Sequence, residues 1–126
     1  MLEAGIKRPD LASRLARALA AARRSVYFGE GFVLEELIGL VGERDAYYWR
    51  TQAGAELDLL LVSRGRRIGV EVKYADAPAM TRSMHACIES LKLDRLYVVY
   101  PGSETYALRP GVEVLSLPLA RERVAR

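Results

Sequence analysis

In the stretch GAELDLLLVSRGRRIGVEVKYA, residues 54–75, Glu56, Asp58, Glu71 and Lys73 stand among leucines, valines and a basic turn. A strand gains a core from Leu and Val at alternate positions, but three carboxylates and an ammonium add nothing to one. Acids paired beside a lysine suit a hard cation. With one histidine, His85, and one cysteine, Cys87, there is no Cys/His set for zinc and no internal disulfide. A metal would therefore rest on carboxylates, which favours Mg²⁺ or Mn²⁺.

Alternation along strands decides where these charges point. Leu57, Leu59 and Leu61 share one face of the first strand, and Ile68, Val70 and Val72 share one face of the second. If both sets line the same core, Glu56, Asp58, Glu71 and Lys73 all project from the opposite side. A two-residue turn at Arg64-Gly65, with Ser63 pairing Arg66, sets Asp58 opposite Glu71 and Glu56 opposite Lys73. Facing carboxylates repel by a few kcal/mol at an effective dielectric near ~20. Lys73, a bound proton or a divalent cation offsets that repulsion. The plain alternative is a solvated polar face with a Glu-Lys pair, although Leu60, Val62 and Gly69 fall on that face too.

The segment 29–41, GEGFVLEELIGLV, has helical spacing. Val33, Leu34, Leu37, Ile38, Leu40 and Val41 form its apolar arc, and Glu30 falls at the centre of that arc. Either Glu30 joins Asp58 and Glu71 around one point, or it sits in the first turn for the helix dipole and reaches solvent. Arg50 and Gln52, alternating on the preceding strand, and Arg64, Arg66 and Arg67 at the turn are candidates for a phosphate backbone or plain solvated residues. Tyr47, Tyr48 and Trp49 fit a core or a base-stacking surface. His85 and Cys87 fit structural roles.

The elements that position these residues follow from periodicity. Helices are predicted over 9–24, 29–41 and 79–92, and strands over 46–52, 56–62, 67–74 and 96–100. Two short extended pieces, TYALR and VEVLSL, turn at Gly111 and finish the chain. This is an α/β (α+β) layout around an antiparallel meander. The 126 residues suit one domain over 1–126, with an N-terminal helical segment over 1–25 and a core over 26–120. About half the residues are apolar (51%), 28% are charged and the net charge is +3. No apolar run approaches a membrane span, and the charged N-terminus lacks a signal peptide's pattern, so a cytoplasmic location is expected.

Asp58, twelve intervening residues and then Glu71-Val72-Lys73 resemble the PD-(D/E)XK arrangement of restriction-endonuclease-like nucleases. By position, the matches are Asp58, Glu71, Lys73 and, from the preceding helix, Glu30; Leu57 replaces the proline before the first acid. GEGFVLEELI, YYWRTQAGAELDLLLV, IGVEVKYADAP and VVYPGSETYALRPGVEVLSLPL resemble more closely a domain of unknown function at the C-terminus of bacterial and archaeal AAA-type ATPases. The resemblance runs from about residue 26 onward. It implies a restriction-endonuclease-like fold, with a mixed central sheet flanked by helices. Asp58 and Glu71 would hold Mg²⁺ or Mn²⁺ with the Val72 carbonyl, Glu30 and Glu56 would be further ligands, and Lys73 would orient water or stabilise charge. The implied activity is DNA phosphodiester hydrolysis, in a fold that often works as a homodimer. The alternative is a non-catalytic module that binds nucleic acid or regulates an ATPase; the chain itself has no P-loop.

Overall fold

The computed structural model describes residues 6–7 and 29–125; the helix predicted over 9–24 lies outside them. The described elements, in chain order, are β1 (Ile6–Lys7), α1 (Glu30–Val41), a 3₁₀ turn (Glu43–Asp45), β2 (Ala46–Arg50), β3 (Glu56–Ser63) and β4 (Arg66–Val72). They continue with α2 (Arg82–Leu91), β5 (Arg95–Val99), β6 (Tyr106–Arg109), β7 (Val112–Leu115) and α3 (Leu117–Ala125). The strands form one mixed sheet in the order β1-β2-β3-β4-β5-β7-β6. β2, β3 and β4 are the expected antiparallel meander, whereas β4, β5 and β7 run parallel. A parallel pair needs a long crossover, and α2 supplies the one between β4 and β5.

Each face of the sheet has its own core. On one side Val33, Leu34, Leu37 and Ile38 of α1, with Ala120 and Val124 of α3, cover Leu59, Leu61, Ile68, Val70, Tyr97 and Val99. On the other, Met84, Cys87 and Leu91 of α2 cover Leu57, Leu60, Leu96, Val98 and Val114, and Trp49 joins them. Trp49 is thus core, as one of its two readings has it. Thr81 starts α2 by accepting the Met84 N–H through its hydroxyl at 3.2 Å. Among the described residues, no helix is long and apolar enough to cross a membrane.

The β3–β4 turn is as expected. Ser63 pairs Arg66, and Arg64 (φ 53°) and Gly65 (φ 76°) both take the left-handed conformation of a type I′ turn. Three expectations need correction. The chain does not end extended: β7 stops at Leu115, and LPLARERVA forms α3, with Pro118 in the first turn, where its missing N–H costs nothing. The strand over 46–52 stops at Arg50, because Thr51 closes a turn with Ala55, its N–H donating to the Ala55 carbonyl at 2.8 Å. Finally, Leu57 does not share a face with Leu59 and Leu61. β2 pairs Tyr47 with Leu60 but Trp49 with Leu57, so one residue of β2 faces two of β3. That bulge at Asp58-Leu59 reverses the alternation: Leu57 packs under α2 and Leu59 under α1.

Candidate metal centre at the β3–β4 splay

The β3–β4 ladder runs from Ser63↔Arg66 to Leu59↔Val70 and stops there. Continued by one step, it would pair Asp58 with Glu71, the positions that the turn register sets opposite each other. The backbones part instead. β4 keeps its parallel register with β5 as far as Val72↔Val99, and the Lys73 N–H donates to the Val99 carbonyl at 2.9 Å. β3 stays with β2 through the bulge.

The two acids close the gap. The Asp58 N–H donates to Glu71 Oε1 at 3.1 Å, and the Val72 N–H donates to Asp58 Oδ2 at 2.8 Å. Each side chain thus replaces a lost ladder bond with a charge-assisted one. Asp58 Oδ1 and Glu71 Oε2 take no part in this interlock. Glu71 Oε2 lies 3.6 Å from Lys73 Nζ, a looser contact to a side chain that is 36% exposed.

Glu71 is only 5% exposed, the one charged residue that is buried among the described residues. Burial is the main reason that its carboxyl is raised to about 7, and the Asp58 charge adds to it. Asp58 is raised to about 6, again mainly by burial and further by Glu30 and Glu56, while the Val72 N–H and Lys73 pull it down. The Lys73 ammonium therefore does not compensate the pair in full, and the two acids titrate as a unit. Burial pushes the Cys87 thiol up to about 12, with the Glu71 charge contributing. This sets Glu71 above α2 and leaves Cys87 an inert thiol.

The other candidates divide. Glu30 is exposed at the start of α1, as its solvent-reaching reading has it, and its charge still reaches Asp58. Its backbone N–H donates to Tyr74 Oη at 2.7 Å. Gly29 gives α1 no side-chain cap, so Tyr74, directly after Lys73, ties the helix to the site strand. Sequence periodicity carries no sign of this role. Glu56 does not face Lys73: the bulge shifts it into register with Arg50, which it meets at 3.3 Å with both side chains more than half exposed. Gln52 sits in the 51–55 turn rather than alternating with Arg50 on a strand. Among the described residues, no three His, Cys, Asp or Glu side chains converge as a ligand group, so Glu30 and Glu56 stand outside the Asp58–Glu71 pair.

Arg64, Arg66 and Arg67 lie at the far end of the hairpin. Arg66 precedes Glu71 on β4 by five residues, roughly 17 Å along a strand. Arg67 ties the hairpin to the end of α2. Its N–H donates to Asp94 Oδ2 at 2.8 Å, and its Nη1 donates to the Leu91 carbonyl at 2.8 Å. A phosphate at the acid pair is out of reach of all three.

Residues 28–120 match the family model described as a domain of unknown function, DUF4143. The chain belongs to the DUF4143 family. Two curated relatives, the uncharacterized protein Rv2008c of Mycobacterium tuberculosis and the uncharacterized protein Mb2031c of Mycobacterium bovis, are each 47% identical to it over 83 residues. The aligned part is 66% of this chain and 19% of each relative, so this DUF4143 chain spans about a fifth of their length. No solved structure matches it.

The donor set of this DUF4143 chain fits a hard cation. Mg²⁺ is usually held by one or two carboxylates with several waters, rather than by a full protein cage. Asp58 and Glu71 supply two carboxylates from strands held apart at a fixed spacing, each with one oxygen outside the interlock. A cation there would offset the burial cost that raises both acids, and the repulsion between their charges.

Proposed function

We propose that this chain has a restriction-endonuclease-like core and is a metal-dependent phosphodiester hydrolase acting on DNA. The observation that carries this reading is the interlocked, buried pair of Asp58 and Glu71 at the β3–β4 splay, with Lys73 at its rim. Asp58 and Glu71 would hold Mg²⁺ or Mn²⁺. The cation supplies Lewis-acid polarisation of a phosphoryl oxygen and lowers the pKa of a bound water.

The chain's own residues do the rest. The interlock fixes both carboxylates, so little reorganisation is needed when charge develops. Lys73 Nζ, partly exposed and next to Glu71, donates to a non-bridging phosphate oxygen or holds the attacking water as a compact point charge. Tyr74 sets the α1 terminus beside this strand, and Glu30 reinforces the negative field at Asp58.

A second reading rests on the share of length. Because the chain spans 19% of each relative, the same fold could serve as a docking or regulatory module of a larger ATPase. Incubation with supercoiled, linear and single-stranded DNA in Mn²⁺ or Mg²⁺ separates the two. Hydrolysis is expected in wild type, with a loss of 100-fold or more, on the order of a general-acid or electrostatic contribution, in Lys73→Ala and in Asp58→Ala. No hydrolysis of any substrate, or equal hydrolysis by Lys73→Ala, would sink the nuclease reading.

A further inference from the structure

At the end of the sheet opposite the acid pair lies a cavity of about 390 Å³. Arg66 of β4, Arg95 of β5, Arg109 of β6 and Arg123 of α3 all line it, and so does one acid, Glu113 of β7. These arginines are up to 57 positions apart in sequence. The strand order β4-β5-β7-β6 brings three of them to one end of the sheet, and α3 brings the fourth across its face.

Several features make this more than a scatter of solvated arginines. Arg123 is held in place: its Nε donates to Glu113 Oε1 at 3.0 Å and its Nη2 to Glu113 Oε2 at 3.3 Å. That pair also uses up the one carboxylate in the lining. Arg109 Nη1 lies 3.4 Å from His85 Nδ1; arginine can only donate, so this contact orients the guanidinium without cancelling its charge. Arg95 lies over the β6–β7 turn, where a Cβ on Gly111 would come 3.9 Å from its Nη1. Arg95 and Arg109 thus add positive charge to a lining whose one carboxylate is already taken by Arg123, an excess that an anion would relieve.

The chemistry of the lining selects among anions. Guanidinium forks match the paired oxygens of phosphate. The volume lies within the usual ~300–1,000 Å³ of small-ligand sites. Tyr97, the one aromatic side chain in the lining, is only 4% exposed, so it offers no open face on which a base could stack. What the cavity can recognise is therefore charge that is dense and close-set. We propose that this arginine cleft binds the adjacent phosphate groups of a di- or triphosphate, separately from the Asp58–Glu71 site. The phosphates come either from a free nucleotide or from the triphosphorylated end of a nucleic acid.

Calorimetric titration of the full chain in EDTA tests this, with sodium tripolyphosphate, ATP, a 5′-triphosphorylated oligonucleotide, orthophosphate and an unphosphorylated oligonucleotide of about 12 residues. Tripolyphosphate is expected to bind saturably and at least about tenfold more tightly than orthophosphate or the plain oligonucleotide, since charge-assisted bonds to each guanidinium add. Comparable binding by ATP or by the 5′-triphosphorylated strand identifies the source. Arg95→Gln and Arg109→Gln change exposed side chains and should keep the wild-type unfolding midpoint, while each weakens tripolyphosphate by about tenfold. Asp58→Ala should bind it as wild type does, whatever becomes of the metal site. The proposal is overturned if tripolyphosphate gives no saturable heat, if the Arg95→Gln/Arg109→Gln double variant binds it undiminished, or if the plain oligonucleotide binds more tightly than tripolyphosphate.

Discussion

Replacing Glu71 by Gln keeps an oxygen able to accept the Asp58 N–H and removes one buried charge. The Glu71 carboxyl is raised from its ordinary 4.5 to about 7, mainly by burial, and each pKa unit is worth about 1.4 kcal/mol. Ionised Glu71 thus costs the metal-free protein about 3 kcal/mol at pH 8. The pull of Lys73 is already inside that figure, because it lowers the Glu71 carboxyl while burial and Asp58 raise it. A gain of about 3 kcal/mol is expected, or a midpoint rise of roughly 9–15 °C for a chain of this size. The sign follows from linkage. A folded-state pKa above the unfolded one means that the native state binds more protons, so wild-type stability falls as pH rises from about 4.5 through about 7. At pH 5 most of that cost is absent, and the gain of the variant should shrink to about 1 kcal/mol or less. Thermal unfolding in EDTA at pH 5 and pH 8, followed by circular dichroism, reads both values. A Glu71→Gln protein no more stable than wild type at pH 8, or a gain equal at both pH values, would refute a charged, desolvated Glu71.

Two further substitutions probe the scaffold. A Cβ on Gly69 would stand 2.7 Å from Leu93 Cδ1, 3.0 Å from Leu96 Cδ1 and 3.3 Å from Leu57 Cδ1, all ends of flexible side chains that can shift, so Gly69→Ala should cost no more than about 1 kcal/mol; chemical denaturation reads this, and a loss of about 3 kcal/mol would contradict such give. Tyr74→Phe removes the acceptor for the Glu30 N–H and should cost about 1 kcal/mol. Hydrogen exchange should quicken in the first turn of α1, and uniform exchange along α1 would argue against Tyr74 as its cap.

Much of this arrangement could be read from residue types and spacing. The Arg64-Gly65 turn, the pairing of Ser63 with Arg66 and the apolar runs of β3 and β4 set Asp58 opposite Glu71, and the structure keeps that register up to Leu59↔Val70. What alternation could not show is the bulge at Asp58-Leu59. It is specified by how β2 packs Trp49 and Leu57 together under α2, a tertiary preference with no local period. Alternation sets Glu56 beside Lys73, but the bulge turns it to the other face, in register with Arg50 of β2, and β4 has by then parted from β3. Glu30 had two readings on the helical wheel, and the exposed first turn is the one found. α3 is hard to read because its apolar residues are not gathered on one helical face and Pro118 reads as a breaker unless it sits in a first turn. The arginine cleft has no sequence signature, because four elements contribute one residue each.

Titration of the full chain with Mn²⁺ at pH 7.5, read both by calorimetry and by the unfolding midpoint, tests the acid pair as a cation site most directly. Wild type should bind saturably and gain stability as the logarithm of free metal, roughly 2.7 kcal/mol at a hundred times the dissociation constant. Affinity should rise between pH 6 and 8 as both acids lose their protons, and Asp58→Ala and Glu71→Ala should lose the response. A flat titration of the wild type up to millimolar Mn²⁺, or an undiminished response in either variant, would contradict a metal centre at the β3–β4 splay.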